Sequence, residues 1–181
     1  MEDEKTLIKK AQKGDTQAYG IIYKKYFQKL YRYCKFNTKN DEHAKDICQE
    51  SFVRAWKKLK DFKTDGQWSI QAFLFTIARN LIIDATRKKK EFALEEFENL
   101  ADGSDLYEEH DRQQDIVKVR TVLSKLDDIE RQIILLRYFE EMPSAEVSHI
   151  LGMKDGALRV RTFRVMQKMK DIFEALYGTR N

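Results

Sequence analysis

A run of cations near the C-terminus is the clearest chemical pattern in the sequence. Arg159, Arg161, Arg164 and Lys168 follow one another at spacings of two, three and four residues on one predicted helix. Arginine suits DNA because its forked guanidinium can bind guanine edges and can also hold phosphates. We therefore expect some of these side chains to face phosphates and others base edges. A basic helix on a surface or against an acidic partner helix is the less favoured alternative.

The residues before this run predict a helix-turn-helix. A helix is predicted from Ser144 to Leu151, followed by a glycine-containing turn at residues 152–154. Asp155 is predicted to cap a last helix that ends near Leu176. Two helices joined by a short turn are typical of proteins that place the second helix in the major groove. The apolar residues that could join the two helices are Val147, Ile150, Leu151, Leu158 and Val165.

A second pattern is an acidic ridge, formed by Asp46, Gln49, Glu50 and Arg54 on a predicted helix from about Glu42 to Leu59. When the apolar residues of this helix turn inward, Asp46, Gln49 and Glu50 share the outer face and Arg54 lies one turn beyond. This chemistry suits a basic or polar partner helix. An ordinary solvated helix face is the alternative.

The third pattern is a loop with two aromatics, Phe62 and Trp68, before a predicted helix from about Ser69 to Lys89. We expect these rings to be exposed. The helix carries the polar residues Arg79, Asn80, Arg87 and Lys88. Rings stack on unpaired bases, amides read base edges and cations hold the backbone, so the combination is suited to single-stranded DNA. Alternatively, the aromatics belong to the core and the lysines complement the helix C-terminus.

These patterns lie on an all-α chain of two small domains. One proline and seven glycines in 181 residues favour long helices over many short strands. Residues 1–90 carry 21 bases against 11 acids, residues 91–117 carry one base against 10 acids, and residues 118–181 carry 12 bases against 9 acids. We therefore predict helical domains at 1–90 and 116–181, joined by an acidic flexible linker at 91–115.

Other classes of protein find little support. Cys34 and Cys48 lack metal or redox spacing, and no run approaches the roughly 20 apolar residues of a membrane span. We therefore expect a cytoplasmic protein that does not insert into membranes. Among the three histidines, only Glu146 and His149 resemble half of a di-iron motif, and the second half is missing. The sequence thus predicts no catalytic residue, metal or cofactor.

Taken together, the order and spacing of these patterns resemble those of extracytoplasmic-function (ECF) sigma factors over nearly the full length. The acidic ridge with Phe52, Ala55 and Trp56 resembles the family's core-polymerase-binding segment. Phe73–Asn80 with Asp84 and Arg87 resembles the promoter-melting and minus-10 segment. The minus-35 domain is matched by Leu126, Arg131, Leu135–Arg137, Glu146–Val147, Leu151–Gly152, Arg159, Arg161 and Arg164. Pro143 stands where the family usually has Ser or Thr, so Ser144 is expected to cap instead.

The resemblance implies a monomeric, non-catalytic protein that binds core RNA polymerase and promoter DNA. The acidic ridge would bind polymerase, and the loop at Lys60–Ser69 would hold a base flipped from the opened strand. Arg79, Asn80 and Arg87 would contact the minus-10 element, and the last helix would enter the major groove at the minus-35 element. An anti-sigma factor is a further implied partner. A helix-turn-helix regulator that acts without polymerase is the alternative.

Overall fold

The computed structural model describes residues 2–38, 40–92 and 110–178, and within these ranges all regular structure is helical. The chain divides into two compact units, with the boundary between residues 101 and 102. The prediction of an all-α chain with two domains is therefore confirmed. Within the described ranges, no helix is both long enough and apolar enough to cross a membrane.

Four helices and one 3₁₀ turn lie in the part of the first unit that the structure describes. These are α1 (Glu4–Gln12), α2 (Thr16–Asn37), α3 (Asp41–Lys58), the 3₁₀ turn (Leu59–Asp61) and α4 (Ile70–Phe92). Asp15 caps α2, because its carboxylate accepts hydrogen bonds from the backbone N–H groups of Gln17 and Ala18.

The core of the first unit lies where α2, α3 and α4 meet. Tyr33 and Phe75 are fully buried, with ring centroids 5.1 Å apart. Cys34 and Cys48 are also fully buried. The hydrogen bond to Cys48 and burial raise the pKa of the Cys34 thiol, which disfavours its reactive thiolate. Buried in this way, both cysteines pack as small apolar residues.

Between residues 110 and 178, the second unit contains four helices. They are α5 (His110–Ser124), α6 (Asp128–Ile134, continued by a π-helical turn at Leu135–Phe139), α7 (Ser144–Leu151) and α8 (Asp155–Tyr177). A capping box lies at the start of α6, since the side chains of Asp127 and Glu130 each accept a hydrogen bond from the other's backbone N–H.

The predicted helix-turn-helix is formed by α7 and α8. Gly152 ends α7 with φ of 66°, a left-handed conformation that favours glycine. All five apolar residues expected to join the two helices are buried. The capping predictions at both helix starts were wrong by one position: Pro143 and Lys154 occupy the cap positions, and neither helix has a side-chain cap.

The ends of the predicted linker are helical. Helix α4 continues to Phe92, and α5 already begins at His110, so both helices extend into the acidic segment at 91–115. Residues 93–109 lie outside the described residues. The domain boundaries and the flexibility of the linker stay predictions.

Candidate nucleic-acid and partner interfaces

Helix α3 presents all four residues of the acidic ridge to solvent. Its opposite face is buried through Cys48 and Phe52, and this burial sets the rotation of the helix about its axis. The Arg54 Nε atom lies 2.7 Å from the Glu50 Oε1 atom, one helical turn away. Arg54 therefore neutralises part of the ridge, and the carboxylate of Asp46 lies at its N-terminal end.

A groove between α2 and α3 borders the acidic ridge. Its volume is about 570 Å³. The ring centroids of Tyr19 and Trp56 are 4.8 Å apart, and those of Tyr23 and Phe52 are 4.6 Å apart. The Tyr19 hydroxyl donates a 2.6 Å hydrogen bond to the Phe52 carbonyl. The lining residues are Thr16, Tyr19, Tyr23, Gln49, Phe52, Val53 and Trp56.

Sequence reasoning missed this groove. The apolar pattern of α3 places Phe52 and Trp56 together on its inner face, but Trp56 is only half-buried, and Val53 is 46% exposed. The available signal was the matching four-residue spacing of Tyr19 and Tyr23 on the neighbouring helix. The acidic ridge and the groove share Gln49, so the first unit has a continuous surface with an acidic part and an aromatic part.

The aromatic loop is less exposed than expected. Phe62 and Trp68 are both half-buried, so they are neither free in solvent nor part of the core. The Phe62 ring packs against Phe73 at the start of α4, with centroids 5.2 Å apart. The prediction of exposed aromatics was wrong to this extent, because Phe73 offers an apolar surface that the loop covers.

Polar residues of α4 lie on the same face of the helix as Phe73, which contacts the loop. Phe73, Asn80 and Arg87 recur every seven residues and therefore share one face of the helix. Asn80 and Arg87 are exposed, whereas Arg79 is half-buried and makes a contact of its own. The side chain of Lys88 lies outside the described residues. The Phe62–Phe73 ring pair, the Asn80 amide and the Arg87 guanidinium thus follow one another along the same face of α4.

The four cations of α8 fall into two sets. Arg159 and Arg164 are exposed, and the Arg159 side chain retains 73% of its accessible surface while it pairs with Asp155 at 2.6 Å. Arg161 and Lys168 instead lie on the same stripe as the buried residues Leu158 and Val165. The spacing in the sequence did not separate these sets, because it leaves the rotation of the helix open.

Arg161 and Lys168 join α8 to the capping box of α6. Arg161 Nη2 lies 3.0 Å from Asp127 Oδ2, and Lys168 Nζ lies 2.6 Å from Glu130 Oε2. We call these contacts the α6–α8 ion pairs. Burial opposes ionisation of Asp127, but the Glu130 backbone N–H and the Arg161 charge outweigh it and lower the pKa. The resulting stability is present above the unfolded-state pKa and is lost as the pH falls through the lowered value.

The outward face of α8 also carries two apolar side chains that sequence reasoning did not select. Phe163 is 67% exposed and Val160 is 53% exposed. At 3.6 residues per turn, both lie between Arg159 and Arg164 around the helix. The sequence did contain a signal for this apolar patch, because Phe163 and Val160 fall on the polar side of a predicted amphipathic helix. The face is therefore apolar in its centre and cationic at its edges.

The two helices of the helix-turn-helix are also linked by a polar contact. The Ser144 hydroxyl donates a 2.7 Å hydrogen bond to the Asp155 carboxylate. This bond, more than the nearby Arg159 charge, lowers the pKa of Asp155. Ser144 thus holds the first turn of α8 against the first turn of α7 instead of capping its own helix.

The α6–α8 ion pairs predict a measurable coupling. In a double-mutant cycle, Arg161→Gln and Asp127→Asn should show a coupling of about 0.5 kcal/mol, the usual size for a partly exposed pair. Asn at position 127 keeps the cap and removes only the charge. The measurement is the opening free energy of α6 and α8 amides by hydrogen exchange. The control cycle pairs Arg164→Gln with Asp127→Asn and should show no coupling energy. Equal coupling in the two cycles would contradict the pairing of Arg161 with Asp127.

Both units match known families. Residues 22–92 match Sigma-70 region 2, and residues 116–169 match Sigma-70 region 4. Two solved structures share the fold with a TM-score of 0.73 each. CnrH in complex with the cytosolic domain of CnrY is 24% identical, and the match covers 95% of this chain and 97% of CnrH. The sigma factor RpoE in complex with the anti-sigma factor NepR from Bartonella quintana is 20% identical, with coverage of 86% and 96%.

Curated relatives extend the match along the chain. The ECF RNA polymerase sigma factor SigW of Bacillus subtilis is 30% identical over 178 residues, which cover 92% of this chain and 94% of SigW. The ECF RNA polymerase sigma factor SigM of the same organism is 29% identical, with coverage of 84% and 93%. With both sigma regions in order and a relative aligned over nearly its whole length, the chain belongs to the ECF family of RNA polymerase sigma factors.

Proposed function

We propose that this sigma factor directs core RNA polymerase to specific promoters by binding polymerase through its first unit and promoter DNA through both units. The observation that carries the proposal is α8, which turns two arginines and two apolar side chains outward behind a glycine turn. This is the composition expected of a helix that reads the major groove. The protein supplies binding surfaces and no catalysis, and it acts in the cytoplasm, where it meets polymerase and DNA.

The acidic ridge and the groove beside it form the polymerase-binding surface in this proposal. Exposed carboxylates favour a basic partner by steering its approach. The groove adds an apolar part, and Val53 and Trp56 are available at its edge for burial against a partner side chain. Aromatic residues at the centre of an interface usually contribute most of its affinity.

The aromatic loop and the outer face of α4 form the minus-10 surface. Phe62 and Trp68 are only half-buried, and aromatic residues that keep accessible surface can stack with unpaired bases. Asn80 can read a base edge, and Arg79, Arg87 and Lys88 supply cations for the strand backbone. The seven-residue repeat that aligns Phe73, Asn80 and Arg87 supports one continuous path for a single strand.

On α8, Arg159 and Arg164 form the minus-35 surface together with Val160 and Phe163. Apolar side chains in the major groove contact thymine methyl groups, while arginines at the edges reach phosphates or guanine. Arg161 and Lys168, which the sequence placed in the same set, contribute through the α6–α8 ion pairs that orient the helix. The division rests on their contacts with Asp127 and Glu130.

We infer in addition that an anti-sigma factor regulates this protein. RpoE was solved with the anti-sigma factor NepR, and CnrH was solved with the cytosolic domain of CnrY. The surfaces proposed above are exposed, so a partner that covers them would keep the sigma factor from polymerase. Free of partners, the chain is expected to be a monomer.

Run-off transcription with purified core polymerase and genomic fragments tests the function. Addition of the protein should produce discrete start sites that core polymerase alone does not use. Size exclusion separates the alternative, a regulator that binds DNA without polymerase. A monomer that co-elutes with core polymerase agrees with the proposal, and a dimer that ignores polymerase while it binds duplex DNA would overturn it.

The salt dependence of promoter binding distinguishes the two sets of cations on α8. In the reconstituted holoenzyme, Arg159→Gln with Arg164→Gln should reduce the slope of log affinity against log salt by about 0.9 for each phosphate that is no longer neutralised. Arg161→Gln with Lys168→Gln should leave the slope unchanged, because those cations face carboxylates. The same reduction of the slope in both double variants would contradict the division.

The polymerase-binding surface can be tested at its two parts. Glu50→Lys reverses a charge on the ridge, and Val53→Asp places a charge at the groove, so each should weaken association with core polymerase at least tenfold. The measurement is a titration of labelled sigma factor with core polymerase. Asp171→Lys, a reversal of an exposed charge in the second unit, is the control. Unchanged affinity of both ridge and groove variants would remove this surface from the proposal.

A further inference from the structure

Gln12, the last residue of α1, makes a long-range contact with the aromatic loop. Its side-chain Nε2 donates to the carbonyl of Leu59 at 3.0 Å and to the carbonyl of Phe62 at 2.6 Å. A glutamine amide has two N–H donors, so both are used here. The two carbonyls lie at the start of the 3₁₀ turn and directly after it, 47 and 50 residues along the chain from Gln12.

These bonds act where the loop leaves regular structure. Phe62 follows the 3₁₀ turn with an extended backbone, and its own N–H donates to Leu59 at 3.1 Å. Once the Phe62 carbonyl is held, the direction in which the chain enters residue 63 is fixed. The Phe62 ring is held separately, by contact with Phe73.

The rest of the loop is constrained at two points further on. The Gly66 N–H donates a hydrogen bond to the Lys63 carbonyl oxygen. A Cβ atom at position 66 would lie 3.0 Å from the same oxygen, which is a crowded contact, so glycine suits this turn. Ser69 then accepts the Ala72 N–H at the start of α4. Gln12 supplies the matching constraint at the beginning of the loop, and it does so from a different helix.

We propose that Gln12 is a positioning residue for minus-10 recognition: its amide holds the Leu59 and Phe62 carbonyls and thereby sets the loop in the shape that accepts an unpaired base. The inference rests on the proposed function of the loop. It assigns to α1, outside the residues that match Sigma-70 region 2, an indirect part in base selection.

A purely structural role is the competing explanation, because α1 also packs against the 3₁₀ turn. A structural role would lower stability without changing which base is preferred. If Gln12 has a positioning role, its loss changes which base is preferred. The start of the loop would be displaced, and Phe62 and Trp68 would then meet the base in the wrong geometry. The base preference is therefore the readout that separates the two explanations.

The experiment uses the full chain in holoenzyme and a set of promoter-derived non-template strands in which each minus-10 base is varied. Gln12→Glu keeps the size of the side chain but faces two carbonyl oxygens with a carboxylate. Gln12→Met removes the donors without adding charge, which keeps the test valid if the first variant fails to fold. Gln17→Glu, the same change on an exposed side chain of α2, is the control.

Both Gln12 variants should lose about tenfold in discrimination at one minus-10 base, since two hydrogen bonds of ordinary net strength are removed. Polymerase affinity and binding to minus-35 duplex should match those of the control. If Gln12→Met and Gln12→Glu keep full discrimination while Trp68→Ala abolishes it, the positioning role is overturned and the loop function stands. If Phe62→Ala and Trp68→Ala also keep it, the loop function itself is overturned, and the inference with it.

Discussion

The burial of Leu158 and Val165 is the constraint on which the proposed minus-35 surface depends. These residues lie seven apart, and burying both leaves one rotation of α8 about its axis. That rotation turns Arg161 and Lys168 toward the carboxylates of the α6 capping box and turns Arg159 and Arg164 to solvent. A modest amount of apolar surface thus decides which of these cations face carboxylates and which face solvent.

The same constraint operates in the first unit. Burial of Cys48 and Phe52 orients α3 so that the acidic ridge is exposed as one face. Partial burial is as informative as full burial here. Trp56, Phe62 and Trp68 are each half-buried, and the rings of Trp56 and Phe62 pack against Tyr19 and Phe73. Such residues can be pre-organised for a partner at low entropic cost, because few rotamers remain to be lost on binding.

Two polar contacts extend this pre-organisation between elements that are separate in the sequence. Gln12 ties α1 to the aromatic loop, and Ser144 ties α7 to the start of α8. In each case a neutral side chain near a helix end holds the backbone or first turn of another element. In the proposal, neither Gln12 nor Ser144 touches a partner. Each instead fixes the start of a segment that carries proposed contact residues, which are the aromatic loop and α8.

Much of the architecture was predictable from local chemistry. The spacing of apolar residues predicted the helices, Asp15 and the Asp127–Glu130 box marked helix starts, and Gly152 marked the turn between α7 and α8. Prediction was poorer at the starts of α7 and α8, where Ser144 and Asp155 hydrogen-bond to each other instead of capping. A cap is a local interaction, and a partner from another helix can displace it without any sign in the adjacent residues.

The sequence by itself determined the class of the protein: helices from periodicity, two charged bodies from composition, and the family from the order of its motifs. The tertiary structure decided which members of each motif are available to a partner. It divided the cations of α8, joined the aromatics of α2 and α3 into a groove, and placed Gln12 beside the loop. The physical reason is that residue type and spacing specify what a side chain can bind, whereas the groups it meets depend on how each helix is rotated and packed against elements distant in sequence.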